Sequence, residues 1–298
     1  MAWRTWRRPV GRSLASLFLA VCLAGCSGGE DAQPVLRFSA IPDDNTTELT
    51  EKFDPVAAYL SDKLGVPVEY VPSSDYGASV EMFKNGDIHL AWFGGLTGVQ
   101  ARQAVSGAHA IVQGSEDPHY YSYFIANKST GLEGSEEFPM QIAKRRFTFG
   151  STMSTSGRLM PEHFIREYSG KSPEDFFEHD YGFSGSHNKT AEQVQSGAYE
   201  VGVLNYKVYD SMVQEGKIDP EVCRVIWKTP PYADYNFTAH PELDTLFGSG
   251  FTARLQQALV DLKDERLLAA FKRSSLIVAE DHEFDAILAV ARSLNLAR

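Results

Sequence analysis

Cysteine is scarce in this chain of 298 residues: there are three, at positions 22, 26 and 223. That excludes a disulfide framework and a cysteine-built metal site. Long apolar runs are missing too. The longest, Leu14–Leu23, falls well short of the roughly 20 residues that span a bilayer. Basic charge is in deficit, with 28 Lys and Arg against 39 Asp and Glu and a net charge of −11. This argues against nucleic acid, whose phosphates require a basic surface. It also sets a condition on any anion site: in a repulsive mean field, the ion must be held by local dipoles and hydrogen bonds. No His-Glu-x-x-His pair is present, and no Gly-Lys-Ser/Thr follows the junction at Gly150–Gly157, so neither a metallopeptidase helix nor a P-loop at that junction is indicated.

What is present begins at the N-terminus. Arg4, Arg7, Arg8 and Arg12 precede the short apolar run, as in a secretory signal. The run ends in Leu23-Ala24-Gly25-Cys26, followed by the polar Ser27-Gly28-Gly29-Glu30-Asp31. Leu-Ala-Gly-Cys resembles the bacterial lipobox, whose cysteine is acylated and becomes the mature N-terminus. The expectation is a lipoprotein signal peptide over 1–25, lipidation at Cys26 and a tether over 26–34. The protein would then sit in the periplasm or on the extracytoplasmic face, held to the membrane by its lipid. The pair Arg7-Arg8 lacks the apolar pair that follows a twin-arginine signal. Removing residues 1–25 takes four arginines and no acid, and moves the net charge from −11 to −15.

From residue 35, apolar runs alternate with amphipathic stretches, the pattern of βα units around a mostly parallel sheet. The first series predicts strands at 35–41, 66–71, 88–93 and 110–113, with helices over 50–64, after Asp75 and after Gly94-Gly95. An aromatic strand over 120–126 leaves this series. A second one follows, with strands at 146–150 and 200–204, a segment at 181–184 and an apolar run at 222–227. Its helices are expected at 156–168, 189–195 and 206–214. Thr229-Pro230-Pro231-Tyr232 is a stiff segment suited to a return crossing, and the remainder from about Pro241 reads as helix over 244–263, 265–272 and 281–294. The expected fold class is therefore α/β with two lobes: 35–118 plus 233–298 forming lobe 1 and 119–232 forming lobe 2. Two extended crossings would make the hinge, and the C-terminus would be helical. Ligands commonly sit in such interdomain clefts.

Several strand-to-helix junctions could hold an anion. Phe147-Thr148-Phe149-Gly150 leads into Ser154-Thr155-Ser156-Gly157, and a helix start offers unpaired N–H groups and the positive end of a dipole. One hydroxyl suffices for a cap; three in a row suit a ligand with several oxygens. Ser73-Ser74-Asp75-Tyr76, Trp92-Phe93-Gly94-Gly95, Ser186-His187-Asn188 and Asn205-Tyr206 are further junctions of this kind. All would gather at the C-terminal ends of strands, where open α/β sheets bind ligands.

The mature chain resembles the periplasmic phosphonate- and phosphite-binding proteins of ABC importers, which have the type II solute-binding fold. The residues that carry the resemblance are Asp75-Tyr76, the run from Asp87 to Gly94, Ser154-Thr155-Ser156-Gly157, Ser186-His187, and Val225 to Pro230. The resemblance implies a ligand surrounded by Tyr76, Phe93, Ser154, Thr155, Ser156 and His187; the junctions add Trp92, Gly94 and Asn205 as candidates. It implies a permease and an ATPase as partners, no cofactor, a monomer and no catalysis. Phe93 stands where phosphonate binders often have tyrosine, which removes one hydroxyl donor. Of the family's acidic residues for an amino group, Asn205 stands near one and Asp234 is a candidate for another. Ile41-Pro42-Asp43, Trp92-Phe93-Gly94-Gly95 and Glu116-Asp117-Pro118-His119 are similar to a branch labelled selenate importers. Phosphonate, phosphite, phosphate and a selenium oxyanion all remain open at this level.

Two other function classes stay in view. His119-Tyr120-Tyr121 resembles the paired tyrosines of ferric-ion receptors, although adjacent residues on a strand point to opposite faces. Gly182-Phe183-Ser184-Gly185-Ser186 nearly matches a nucleophile elbow, with serine in place of the last glycine. The sequons at Asn45, Asn127, Asn188 and Asn236 are read as chance.

Overall fold

A computed structural model describes residues 33–43 and 46–297. The signal peptide expected over 1–25, the lipidation expected at Cys26, most of the expected tether and the sequon at Asn45 lie outside the described residues. Among the described residues, no helix is long and apolar enough to cross a membrane.

The chain opens with β1 (Leu36–Ala40), α1 (Thr46–Leu64), β2 (Val68–Tyr70), α2 (Tyr76–Lys84), β3 (Leu90–Phe93), α3 (Gly95–Ala104) and β4 (His109–Gly114). β1 pairs in parallel with β2 and with β3, the arrangement that helical crossovers impose. α1 buries Phe53, Val56, Ala57 and Leu60 against this sheet and begins four residues before the sequence pattern predicts.

The chain then crosses into a second sheet: β5 (Ser122–Asn127), β6 (Phe147–Phe149), α4 (Met160–Ser169), α5 (Pro173–Phe176), β7 (Gly182–Phe183), α6 (His187–Gln195), β8 (Val201–Asn205), α7 (Tyr206–Gln214) and β9 (Cys223–Lys228). Its order is β7-β6-β8-β5-β9. β6 runs parallel to β7 and β8, while β5 is antiparallel to β8 and β9. The outgoing and returning crossings bond to each other: Tyr120 N donates to Tyr232 O and Tyr232 N to Tyr120 O, both at 2.8 Å.

After the return, β10 (Asn236–Ala239), α8 (Leu243–Phe247), α9 (Phe251–Val260), α10 (Glu265–Leu268), β11 (Leu276–Val278) and α11 (Asp285–Ser293) complete the first half. Its sheet order is β11-β4-β10-β3-β1-β2. Two departures from the sequence pattern lie here. β10 and β11 are strands that the apolar pattern does not reveal. β10 carries buried Asn236 and Thr238, whose side chains bond to the Arg102 guanidinium at 3.0 Å each. The helix expected over 244–263 is broken at Gly248 and Gly250, with φ of 94° and 76°, a region glycine enters at low cost. The Asp244 carboxylate then caps the restart by accepting from Thr252 N at 2.7 Å. The result is a two-lobed α/β fold of the type II periplasmic binding kind, with a two-segment hinge and a largely helical C-terminus.

Candidate functional site

The parallel strands β2, β3, β6, β7 and β8 all end beside helix starts. Asp75 caps α2, with its carboxylate accepting from Ala78 N at 2.8 Å. Asn205 caps α7 by accepting from Val208 N at 2.7 Å. Ser154 caps the helical turn Thr155–Leu159, its hydroxyl accepting from Gly157 N at 2.9 Å. That turn is π-helical, and its first intrahelical bond is Leu159 N to Ser154 O at 3.0 Å. The sequence pattern predicts one helix over 156–168; the wide first turn instead leaves the N–H groups of Thr155 to Arg158 ahead of the ladder. Such widened turns recur at functional sites.

The start of α3 meets both the second half and the return crossing. Leu96 N donates to the Thr155 hydroxyl at 3.0 Å, and Gly95 N donates to Asp234 Oδ1 at 2.9 Å. Gly94 permits this approach through space rather than conformation. A Cβ there would lie 3.1 Å from Thr155 Oγ1 and 3.2 Å from Asp234 Oδ1. Ser154, Thr155, Ser156, His187, Asn205 and Asp234 are all buried, between 1 and 2 % exposed. On the far side, His187 Nδ1 accepts from Asn205 N at 3.3 Å, and its Nε2 lies 3.4 Å from Ser154 Oγ.

Asp234, named from the sequence only as a candidate for one of the family's acidic residues, meets the start of α3. Its Oδ2 is buried and makes no hydrogen bond among the described residues. Burial pushes its pKa up to about 7, opposed by the Gly95 N–H and by the hydroxyls of Thr155 and Ser156, and reinforced by the charge of Asp117. A carboxylate acceptor thus sits at a helix N-terminus among hydroxyl donors. Nearby, Ser122 Oγ bonds Tyr232 Oη at 2.5 Å and donates to Ser156 O at 2.7 Å, bracing the hydroxyl run from beneath.

Beside the cleft lies an aromatic wall. Trp92 stacks on Tyr235 with centroids 5.5 Å apart. The Arg273 guanidinium lies 4.8–5.6 Å from the rings of Tyr235, Tyr120 and Trp92, within cation–π range. Burial alone would lower the pKa of Arg273, but the Asp117 carboxylate, 2.6 Å away, holds it well above its ordinary value.

Residues 38–284 match the family of phosphonate ABC-transporter periplasmic substrate-binding proteins. The chain belongs to this family. It is 36 % identical over 271 residues to a probable ABC transporter phosphite binding protein, PhnD1, of Prochlorococcus marinus, covering 89 % of this chain and 91 % of that one. The structure of PhnD1 in complex with methylphosphonate superposes with a TM-score of 0.84, covering 88 % of this chain and 98 % of the other. A phosphate-import protein, PhnD, of Mycolicibacterium smegmatis is 28 % identical over 249 residues, covering 77 % of this chain and 76 % of that one. This places the chain among periplasmic substrate-binding subunits of ABC transporters rather than among enzymes.

Within this phosphonate-family fold, the residues expected around a ligand are not equally placed. Ser154, Thr155, Ser156, His187 and Asn205 are brought together by the bonds above, and Gly94 lies against Thr155. Trp92 joins through Tyr235. Tyr76 opens α2 and lies near enough to Tyr235 to raise its pKa, after burial, Asp43 and Tyr120. Phe93 is fully buried and packs edge-on against Phe83 at 5.6 Å. Tyr120 and Tyr121 flank Tyr206, and Tyr121 stacks on it at 3.8 Å beneath the Lys228 ammonium. The Ser184 hydroxyl of the elbow-like segment is engaged with Ser186 O at 2.9 Å and Thr190 Oγ1 at 2.6 Å, at the start of α6.

Proposed function

We propose that this protein captures a small, protonated phosphorus oxyanion such as phosphite or methylphosphonate between its two lobes and hands it to an ABC permease. The lobes are 35–118 with 233–298 and 119–232, and Cys26 carries the lipid that keeps the receptor at the membrane. One observation carries the choice of ligand: the buried, unsaturated Oδ2 of Asp234 among helix N-termini and hydroxyls. An anion surrounded only by donors needs no proton, but a carboxylate acceptor in the same cleft favours a ligand oxygen that still bears hydrogen. Phosphite and phosphonates keep such an O–H as monoanions; sulfate and selenate at neutral pH do not, whereas selenite does. The names of the relatives above support the same class. On closure, the hydroxyls of Ser154, Thr155 and Ser156, the N–H groups at the start of their turn and His187 would replace the hydration shell, since a buried oxygen without a donor is costly. Tyr76 and Trp92 would line the cleft wall, Gly94 would admit the close approach, and Asn205 would support His187. Phe93 would back this wall from the core.

The test is calorimetric titration of the soluble chain from Ser27 with phosphite, methylphosphonate, phosphate, aminoethylphosphonate, selenite, selenate and sulfate, with ferric citrate as metal control. Binding of phosphite or methylphosphonate at least tenfold tighter than sulfate and selenate is the expected result. Asp234→Asn, which replaces an acceptor by a donor, should narrow that gap. Equal affinity for sulfate and phosphite in the wild type would sink the reading, and tight ferric binding would replace it.

A further inference from the structure

A directional hydrogen-bonded chain runs from the loop after β1 to the histidine of the cleft. Tyr235 Oη donates to Asp43 Oδ2 at 2.7 Å. Asn205 Nδ2 donates to Tyr235 Oη at 3.0 Å. Asn205 N donates to His187 Nδ1 at 3.3 Å, and His187 Nε2 lies 3.4 Å from Ser154 Oγ. Each direction is forced. A carboxylate only accepts when ionised, so the phenol must donate to it and must accept from the amide. The amide cannot flip, because Asn205 Oδ1 already accepts from Val208 N. A backbone N–H only donates, so His187 Nδ1 is the acceptor and the hydrogen of the neutral ring sits on Nε2. That hydrogen faces the hydroxyl run.

The chain also joins the two halves. Asn205 ends β8 of the second sheet, and Tyr235 immediately precedes β10 of the first. We infer that Tyr235, anchored by Asp43, is a positioning residue: it pins Asn205 across the cleft and thereby sets the tautomer and aim of His187 as an oxyanion donor. The inference rests on the oxyanion reading, because an Nε2–H is of use only to an acceptor. Ring stacking on Trp92 cannot set this tautomer, since it would survive loss of the hydroxyl.

The test uses 15N-labelled chain from Ser27 without ligand, with the imidazole resonances read by NMR, followed by calorimetry with phosphite and methylphosphonate. Tyr235→Phe keeps the stack and removes the hydroxyl. Asn205→Asp keeps an oxygen for Val208 N and cannot donate to Tyr235, so it serves as the second variant should the first not fold. Wild type should show one tautomer, with hydrogen on Nε2. Both variants should show a mixture and weaken binding about tenfold, the value of one buried hydrogen bond. In a His187→Gln background, Tyr235→Phe should change affinity less than twofold, because residues acting through one another are not additive. An unchanged tautomer in both variants, or a tenfold loss that persists without His187, would overturn the inference. If the wild type binds no oxyanion, the capture reading fails, while the ligand-free tautomer still decides the positioning role.

Discussion

The two halves of the molecule share a plan and differ in their chemistry. Each has three parallel strands, β2-β1-β3 and β7-β6-β8, followed by one antiparallel strand from the other side of a crossing, β10 and β5. At the strand ends the first half presents carboxylates and bare backbone: Asp75, Gly94, Gly95 and, from the return crossing, Asp234. The second presents Ser154, Thr155, Ser156, His187 and Asn205. Carboxylates therefore stand on one wall, and the Ser154–Ser156 hydroxyls and the imidazole on the other. In the proposed capture, a ligand with several bare oxygens and one O–H would be oriented by that asymmetry and would need both walls.

The strongest way to break the comparison is at the support they share. Arg273→Met leaves the Asp117 carboxylate buried without its partner, a change that costs about 3–5 kcal/mol; thermal unfolding should show a Tm drop of roughly 10 °C. Emptying the donor wall with a Ser154/Thr155/Ser156→Ala triple variant should weaken phosphite binding more than 100-fold by calorimetry, while loss of the Ser154 cap costs only about 1 kcal/mol of stability. Of the wall's members, Thr155 also bridges to Leu96 N, so a Thr155→Val single variant should show the largest share. On the acceptor wall, Asp234→Asn should cost about tenfold in phosphite affinity and improve sulfate binding.

The halves should also separate by pH. His89, packed beneath the first sheet, has its pKa lowered to about 4 by burial, Arg37 and His240. Unfolded, it titrates near 6.5. Its neutral form is thus favoured by folding: stability is intact above about 6.5 and declines as pH falls toward 4, by about 2 kcal/mol. Asp234 runs the other way. With its folded value raised to about 7, stability is greatest below its unfolded value near 4 and declines as pH rises toward 7. Denaturant midpoints from pH 4 to 8 should show His89→Gln flattening the acid limb and Asp234→Asn the neutral one. The smallest effect expected is at the exposed pair Lys217–Glu48, 3.6 Å apart. Lys217→Ala should change stability by less than about 0.5 kcal/mol.

How much of this was legible depended on how local the cause was. α7 falls on 206–214, as the sequence predicts, because its apolar positions and the cap at Asn205 are neighbours in the chain. β10 was not, because Asn236 and Thr238 are satisfied by Arg102, more than 130 residues away, and so do not read as strand interior. The hydroxyl run could be seen as a donor cluster from spacing alone. That Asp234 meets the start of α3 could not, since the bond to Gly95 joins residues 139 apart. The stiff Thr229-Pro230-Pro231 segment marks the crossing, and the acid and tyrosine just after it were the available signal. Trp92 and Phe93 illustrate the remaining gap: period two says that they face opposite ways, but only the packing on Phe83 says which one turns inward.

The reciprocal bonds between Tyr120 and Tyr232 make the hinge a ribbon rather than two independent strings. A ribbon resists stretching and sideways slip but yields to twist. Opening should then follow a single torsional coordinate, with the two walls swinging about a fixed axis, so that the spacing between donors and acceptors is recovered each time the cleft shuts.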